Sequence, residues 1–302
     1  FLFLQLIVME GIVSIGLAYF ISRLISKPIE EIHDIIASIN EENIETKRLI
    51  VPKKNDEFAI VSQQFNELLD KISFYIAQQK HFVEDVSHEL RTPVAIVEGH
   101  LKLLNRWGKD DPEVLEESLT ASLAEIKRMK TLVQEMLDLS RAPQVREQYK
   151  DAKTEVVATL EQIVTNFKIL YPDFTFIADI DTKKEIISPI YRNHFEQVII
   201  ILLDNAVKYS TDRKEIIVSL SPTTEAVEIG IQDFGMGLSE EDKKKVFSRF
   251  YRVDKARSRE RGGNGLGLSI AKELIEGYNG KISLTSRLNH GSLFKVKLPI
   301  VK

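Results

Sequence analysis

The 302-residue sequence predicts a multidomain α and α/β protein, in which helical segments precede a C-terminal α/β domain. Three observations lead to this prediction. The chain opens on an apolar stretch, and its middle repeats apolar residues every three or four positions. From about residue 152, short alternating apolar runs follow one another between helical patterns. The length suits about two domains.

The composition narrows the class of protein. The formal net charge of −4 argues against a general nucleic-acid-binding protein, so we expect no direct contact with nucleic acid. The lack of cysteine excludes disulfide frameworks and thiolate metal sites. Because the first residue is Phe rather than Met, we expect the sequence to be part of a longer protein.

Residues 1–25 are almost wholly apolar and predict a transmembrane helix. At a rise of about 1.5 Å per residue, roughly 20 residues cross a hydrocarbon core of about 30 Å. Arg23 and Lys27 follow the apolar stretch, whereas a signal peptide carries basic residues before it. This asymmetry favours a cytoplasmic location for everything after the helix. A buried core helix is the alternative.

Residues 26–77 predict two short amphipathic helices joined by a polar connector. Pro28 suits the first turn of the first helix. Apolar residues of the second helix recur in steps of three and four, as in a coiled coil. Neither helix can bury its apolar side alone, so we expect a parallel bundle with a second copy of the chain. The apolar positions of the second helix are Phe58, Val61, Phe65, Leu68 and Ile72.

Residues 78–145 predict an antiparallel helical hairpin, and two hairpins make a four-helix bundle. Its first helix contains the stretch FVEDVSHELRTPVAIVEGHL, from Phe82 to Leu101. His88 lies between the apolar positions Val86 and Leu90 and points off the buried side, so we expect it in solvent. After turn residues near Gly108, a second helix is predicted over 112–141.

Three clusters in the domain at 152–302 point together to a nucleotide site. In LLDNAVKYS, Asn205 and Lys208 share a helix face; an amide oxygen suits Mg²⁺, while Lys208 and Tyr209 can reach phosphate. In IQDFGMGLS, Asp233 ends a strand before Gly235 and Gly237, where a carboxylate can accept the exocyclic amine of adenine. Taken alone, each cluster also suits an ordinary polar helix surface or turn.

The third cluster is glycine-rich and opens a helix near Leu266. Bare backbone amides at a helix N-terminus bind anions, and a basic segment upstream, which includes Arg252, resembles a lid for a triphosphate. Neither a P-loop nor a dinucleotide-binding fingerprint occurs in the sequence. The glycines of the cluster are Gly262, Gly263, Gly265 and Gly267.

If this domain holds Mg-ATP, an exposed histidine on the hairpin is a nucleophile for the γ-phosphate. Glu89 can accept the proton of His88 or orient its ring, and Arg91 can steady phosphate charge. Pro93 removes one helical hydrogen bond just past this site.

At this point the motifs resemble those of the sensor histidine kinases of two-component systems. SHELRTP (87–93) is similar to their H box, LLDNAVKYS to the N box, DFGMGL and GNGLGLSI to the two glycine boxes, and FSRFYR to the phenylalanine box. The region at 26–77 resembles a HAMP linker. The stretch from His81 to Glu113 is most similar to the CovS/CsrS kinases of streptococci. The resemblance covers essentially the whole chain.

The resemblance implies a fold for each segment. We expect a transmembrane helix at 1–25, a parallel four-helix HAMP coiled coil in a homodimer at 26–77, and a dimerisation and histidine phosphotransfer bundle at 78–145. At 152–302 we expect a catalytic α/β sandwich of the GHKL ATPase type. The implied activity is autophosphorylation from Mg-ATP, transfer to an aspartate of a response regulator, and dephosphorylation of that regulator.

The resemblance also implies roles for single residues. His88 is the phosphoacceptor, Glu89 its acid/base partner, and Thr92 orients the water that dephosphorylates the regulator. Asn205 binds Mg²⁺ and Asp233 recognises adenine. Lys208 and Tyr209 contact the nucleotide, and five glycines shape the pocket and its lid: Gly235, Gly237, Gly263, Gly265 and Gly267.

One position departs from the family pattern. Four residues before Asn205, where a second asparagine is usual, this chain has Ile201. Related ATP-hydrolysing enzymes tend to place a general-base glutamate there, and isoleucine cannot activate water. Two alternatives remain open: an ATPase on a coiled-coil anchor, against which Ile201 counts, and an inactive scaffold, against which the intact motifs count.

Overall fold

The computed structural model describes residues 2–40, 43–51, 57–141, 145–182, 184–211, 213–253 and 263–301. The chain divides into two compact units, Phe1–Val86 and Ser87–Lys302. Residue 262 of the glycine cluster, most of the basic lid segment and part of the connector therefore lie outside the described residues.

The first unit begins with helix α1, Leu2–Ser38. Its segment Gln5–Arg23 is long and apolar enough to cross a membrane, and none of it is buried against the rest of the protein. The backbone stays helical through residue 28, so the prediction that Pro28 opens a new helix is wrong. One missing hydrogen bond is outweighed by the helical hydrogen bonds on either side of it.

The connector after α1 packs against the first part of helix α2, Glu57–Arg106. Ile44 and Leu49 are buried, and the Asn66 side chain satisfies both backbone groups of Leu49, with distances of 2.8 Å to its nitrogen and 2.9 Å to its oxygen. The Ser73 hydroxyl donates to the Ile44 carbonyl at 3.0 Å. An irregular segment needs such partners because its buried backbone groups cannot pair with water.

Helix α2 runs without interruption past His88 and Pro93, and a 3₁₀ turn at Gly108–Asp110 leads into α3, Pro112–Arg141. The two helices form the predicted hairpin, because side chains from both line one open groove, among them Leu101 of α2 and Ile126 of α3. Much of the apolar side of the hairpin is exposed in the single chain. Its exposed members include Leu101, Leu119, Leu123, Ile126, Val133 and Leu137.

The C-terminal part of the second unit is a two-layer α/β sandwich. Its five strands are β2 (Thr175–Ile180), β4 (Glu215–Pro222), β5 (Ala226–Asp233), β6 (Lys281–Arg287) and β7 (Gly291–Pro299). The longer helices are α5 (Val156–Leu170), α6 (Arg192–Tyr209) and α8 (Gly267–Gly277). The strands form one sheet in the order β2-β4-β5-β7-β6, with β2 and β4 parallel and the other neighbours antiparallel. Helices α5, α6 and α8 pack on this sheet.

The core of this sandwich lies between the sheet and the helices, and its centre is fully buried at Phe195, Leu202 and Ile229. Alternate residues of β4 are buried, as expected for a strand with one face on the core. The smaller elements are helices α4 (Val145–Gln148) and α7 (Glu240–Lys245), and strands β1 (Thr154–Glu155) and β3 (Ile187–Ser188), which pair with each other.

Candidate active site

A cavity of about 690 Å³ opens where the end of α6, the end of β5 and the start of α8 meet. The strand-and-helix pattern of the sequence brings these three ends to one side of the sheet, which is where ligands bind in many α/β folds. Most of the predicted nucleotide-binding residues line it, namely Asn205, Lys208, Tyr209, Asp233, Gly237, Arg252, Gly263, Gly265 and Gly267.

Asp233 is fixed at the floor of the cavity, where its side chain is almost fully buried. Its Oδ1 accepts hydrogen bonds from the backbone nitrogens of Gly235 at 2.8 Å and Ser292 at 3.2 Å. Burial raises the pKa of the Asp233 carboxyl, and these backbone hydrogen bonds oppose the rise. A buried carboxylate held rigidly at the edge of a cavity suits recognition of an amino group on a flat ring.

The turn after Asp233 needs glycine because backbone from other elements comes very close. A Cβ atom on Gly235 would lie 2.0 Å from the Tyr209 carbonyl oxygen at the end of α6. A Cβ on Gly237, which has φ of 62°, would lie 2.0 Å from the Arg287 carbonyl oxygen at the end of β6. These contacts draw α6 and β6 around the turn and set the width of the cavity.

The opposite wall carries the polar groups that suit phosphate. The Lys208 Nζ atom lies 2.1 Å from where a Cβ on Gly263 would be, so the glycine leaves the space that the ammonium group occupies. Leu266, the residue that precedes α8, is buried and anchors the helix start below the cavity. Backbone amides at this helix start, together with Lys208, can hold an anion.

The residues of the cavity fit a magnesium nucleotide. Asn205 and Asp204 both line the cavity, and each can offer a side-chain oxygen to a metal ion. Within the described parts of the chain, no group of three or more His, Cys, Asp or Glu could hold a metal ion alone. Mg²⁺ is commonly held by one or two protein groups with substrate phosphates and water, so this sparse set is sufficient. Ile201 lines the cavity too, and adds an apolar contact but no ligand.

Helix α3 contributes to the cavity as well, which the sequence did not predict. Glu135 of α3 is one of the lining residues, and it accepts a hydrogen bond from the Asn264 Nδ2 atom at 3.2 Å. The Arg128 Nε atom lies 3.5 Å from Asn264 Oδ1. Nearby, Gln197 Nε2 of α6 donates to Asp138 Oδ2 of α3 at 2.8 Å.

Asn264 is the residue that sequence reasoning came nearest to finding, since it lies between two predicted glycines, Gly263 and Gly265. Its side chain is almost fully buried, which is unusual for an amide in a glycine-rich loop. Nothing in the sequence marks Glu135, because its place in the cavity depends on how the α/β domain packs against α3.

The predicted phosphotransfer residues lie on α2. His88 and Arg91 are exposed, Glu89 and Thr92 are half-buried, and Pro93 is buried. The solvent position predicted for His88 therefore agrees with the structure. None of His88, Glu89, Arg91 and Thr92 is among the described residues that line the cavity. The structure thus places the histidine and the nucleotide cavity in one compact unit but does not bring them together.

A cavity with a buried carboxylate, a lysine and a glycine-rich helix start, in one unit with an exposed histidine, has the groups that ATP-dependent phosphoryl transfer requires. Comparisons with known families agree. Residues 191–302 match the family described as histidine kinase-, DNA gyrase B-, and HSP90-like ATPase. Residues 78–144 match the His Kinase A (phospho-acceptor) domain. The chain thus combines a histidine kinase phospho-acceptor domain with a histidine kinase-like ATPase domain.

Similar curated proteins are the signal transduction histidine-protein kinases ArlS of staphylococci. The chain is 38% identical to ArlS of Staphylococcus epidermidis over 290 residues, which are 96% of this chain and 63% of that protein. For ArlS of Staphylococcus aureus (strain USA300) the identity is 39%, over 96% of this chain and 64% of that protein. The chain thus spans less than two thirds of these relatives. The resemblance to CovS/CsrS kinases stays a prediction.

A solved structure gives the same fold. The histidine kinase ThkA, crystallised in complex with the response regulator protein TrrA, matches with a TM-score of 0.57 and 22% sequence identity. The match covers 73% of this chain and 61% of that one. At this identity the likeness concerns the fold, and it confirms the predicted combination of a helical region and an α/β domain.

Proposed function

We propose that this protein is a membrane-anchored, homodimeric sensor histidine kinase. It autophosphorylates His88 from Mg-ATP, passes the phosphoryl group to an aspartate of a response regulator, and also dephosphorylates that regulator. The observation that carries the proposal is the joint presence of a nucleotide cavity and an exposed histidine in one compact unit. Both belong to domains of the histidine kinase family.

In the proposed reaction the neutral imidazole of His88 attacks the γ-phosphorus of ATP. A nitrogen–phosphorus bond forms as the bond from that phosphorus to the oxygen of the departing ADP breaks. Glu89, next to His88, accepts the proton that the ring must lose, and Arg91 steadies the transferred charge. Thr92, four residues after His88, orients the water molecule that removes the phosphoryl group from the regulator.

The cavity residues do the remaining work. Asp233 accepts a hydrogen bond from the amino group of adenine. Lys208, Tyr209 and the start of helix α8, at Gly265 and Gly267, hold the phosphates. Arg252, which lines the cavity, adds a positive charge beside them. Asn205 would hold Mg²⁺, which would neutralise phosphate charge when bound. Because His88 lies outside the cavity in this structure, the α/β domain must move relative to α2 before transfer.

The proposed partners follow from exposed surfaces and from relatives. Leu119, Ile126 and Val133 of α3 are about half exposed in the single chain, along the side that a second hairpin would cover. The receiver of the phosphoryl group is inferred from ThkA, which was crystallised with a response regulator protein. The membrane anchor is α1, whose apolar segment Gln5–Arg23 is exposed along its length.

The domain limits are part of the proposal: a transmembrane helix at 1–25, a HAMP linker at 26–77, a phosphotransfer domain at 78–145 and a catalytic domain at 152–302. The contacts between the connector and α2 support a folded linker, because Asn66 and Ser73 bind its backbone.

The test is to incubate the full chain in detergent with Mg²⁺ and γ-labelled ATP. We expect a label that acid removes and base does not, as for a phosphohistidine. His88→Gln should abolish the label and keep nucleotide binding. His81→Gln is the matched control, since His81 is exposed on the same helix one heptad earlier. Label that persists in His88→Gln contradicts the assignment, and free phosphate without label indicates an ATPase instead.

A further inference from the structure

Helix α3 presents one row of side chains to the nucleotide domain. Arg128, Glu135 and Asp138 are spaced by seven and three residues, so they lie on one face of the helix. Their partners are Asn264 in the glycine-rich loop and Gln197 on α6. The row therefore joins the phosphotransfer hairpin to two elements that border the nucleotide cavity.

Glu135 differs from the other two because it lines the cavity itself. It also lines the adjoining groove, next to Ile201 and Gly267. We propose that Glu135 is an anionic plug at the triphosphate end of the cavity, so that docking of the nucleotide domain on α3 and binding of Mg-ATP weaken each other. This inference rests on the proposed function, because it takes the cavity to bind a nucleoside triphosphate.

The electrostatics of Glu135 support competition. Burial raises the pKa of its carboxyl; the hydrogen bond from Asn264 and the positive charge of Lys208 act against the rise, and the negative charge of Asp138 adds to it. The carboxylate thus accepts a hydrogen bond from Asn264 and is attracted to Lys208, and both residues lie where we expect the nucleotide phosphates. A phosphate oxygen that arrives there meets a like charge and competes for the same donors.

Ile201 makes it harder for a metal ion to offset the repulsion between the Glu135 carboxylate and the nucleotide phosphates. A cation held by several protein ligands could bridge a carboxylate and a phosphate, but isoleucine supplies no ligand at the position where the family usually has asparagine. With Asn205 as the main protein ligand, no bridging cation offsets the repulsion between Glu135 and the phosphates, and Lys208 and Asn264 must serve both anions. Glu135 is therefore a specificity-determining residue, which disfavours the nucleotide that carries more phosphate charge.

Thermodynamic linkage makes the effect reciprocal. If docking through Glu135 weakens triphosphate binding by some factor, triphosphate binding weakens docking by the same factor. In the kinase this releases the α/β domain from α3 when ATP arrives, and ADP, which has one phosphate fewer, permits docking again.

The test is Glu135→Gln in the full chain, which keeps the size and the acceptor for Asn264 and removes the charge. Affinities for ADP and for a non-hydrolysable ATP analogue are measured by calorimetry with saturating Mg²⁺ at low salt. We expect the analogue to bind about fivefold or more tightly in the variant, within the usual range of coupling between sites. The gain for ADP should be smaller, and both gains should shrink at high salt because screening weakens charge effects.

Glu117→Gln is the matched control, since Glu117 is an exposed glutamate on the same helix, and it should change neither affinity. Unchanged affinities in Glu135→Gln would refute the plug. Weaker binding of the analogue in that variant would also refute it and identify Glu135 as a metal ligand. If the unsubstituted chain binds no nucleotide at all, the proposed function fails instead.

A second measurement follows docking directly. The chain has no cysteine, so spin labels can be placed at Glu116→Cys and Thr224→Cys, both exposed positions, with excess unlabelled chain to isolate one labelled copy per dimer. Adding the analogue should lengthen the mean distance between the labels or broaden the distribution of distances. In Glu135→Gln the distance should be longer before any nucleotide is added. A distance unaffected by both the analogue and the substitution would overturn the proposal.

Discussion

Gly235→Ala should disrupt the nucleotide cavity by pushing the turn after Asp233 away from the end of α6. The added Cβ would lie 2.0 Å from the Tyr209 carbonyl oxygen and 2.7 Å from its carbon, both backbone atoms. An ordinary contact is about 3.5 Å, so the turn and the end of α6 must separate by roughly 1.5 Å. Tyr209 and Lys208 are at that end of α6, so they move away from Asp233.

The cost has two parts. Overpacking of this kind destabilises a domain by about 1–3 kcal/mol. A misplacement of about 1 Å can also lower a rate by about 100-fold when groups must be aligned. We expect Gly235→Ala to lower the melting temperature of the α/β domain and to reduce nucleotide affinity and autophosphorylation by one to two orders of magnitude, or about 1.4–2.8 kcal/mol.

Thermal unfolding, calorimetric titration with nucleotide and the labelling rate of His88 measure these effects. Gly99→Ala is the matched control, because no atom lies within 4 Å of its Cβ position on α2. There the methyl group should stabilise the helix by up to about 1 kcal/mol. Wild-type nucleotide affinity in Gly235→Ala would show that this close contact does not set the geometry of the cavity.

Two further predictions concern the buried carboxylate and the connector. Burial raises the folded-state pKa of Asp233, so folding is coupled to proton uptake at this carboxyl. The free-energy cost of burying its charge is therefore absent below about pH 3.8, and it grows as the pH rises through the folded-state pKa. Asp233→Asn should therefore raise the melting temperature at pH 7 without nucleotide and weaken ATP binding; a stability gain that persists at pH 3 would contradict this. Asn66→Ala removes both hydrogen bonds to Leu49 and should cost about 1–3 kcal/mol locally, seen as faster amide exchange in the connector, whereas exposed Gln64→Ala should change nothing.

Regular elements were predictable where burial repeats with a fixed period. Helix α3 has the predicted limits, 112–141, because proline and acidic residues open it and its apolar positions recur at helical spacing. The apolar run AVEIGIQD predicts a strand over 226–233, and strand β5 has these limits because most of its residues are buried in the middle of the sheet. The two-residue strands β1 and β3 were missed because two residues show no period.

The ends of some helices were predicted less well, because they depend on a competition between the local preference of a residue and packing or hydrogen bonds elsewhere in the fold. The sequence pattern predicts a helix over about 239–250, and the helix in the structure is shorter, at Glu240–Lys245. Local propensity at Pro28 favoured a helix start, yet the helix runs through that position. In both cases neighbouring hydrogen bonds or packing outweighed what the single residue favours.

The sequence by itself determined the order of helices and strands and pointed to the candidate site residues of this protein. The periods of apolar residues gave the helices and strands, and the order of short motifs around His88, Asn205, Asp233 and Gly265 indicated phosphotransfer from a nucleotide. These features are local, since each depends on residues a few positions apart along one element, and so the sequence displays them directly.

The tertiary structure alone decided what surrounds the cavity. The placement of Glu135 and Arg128 against Asn264 joins residues more than a hundred positions apart, and it depends on how one domain packs on another. The half-burial of Ile201 beside Gly267, and the separation of His88 from the nucleotide cavity, have the same origin. Contacts between elements depend on many packing and charge interactions at once, so no single stretch of sequence predicts them.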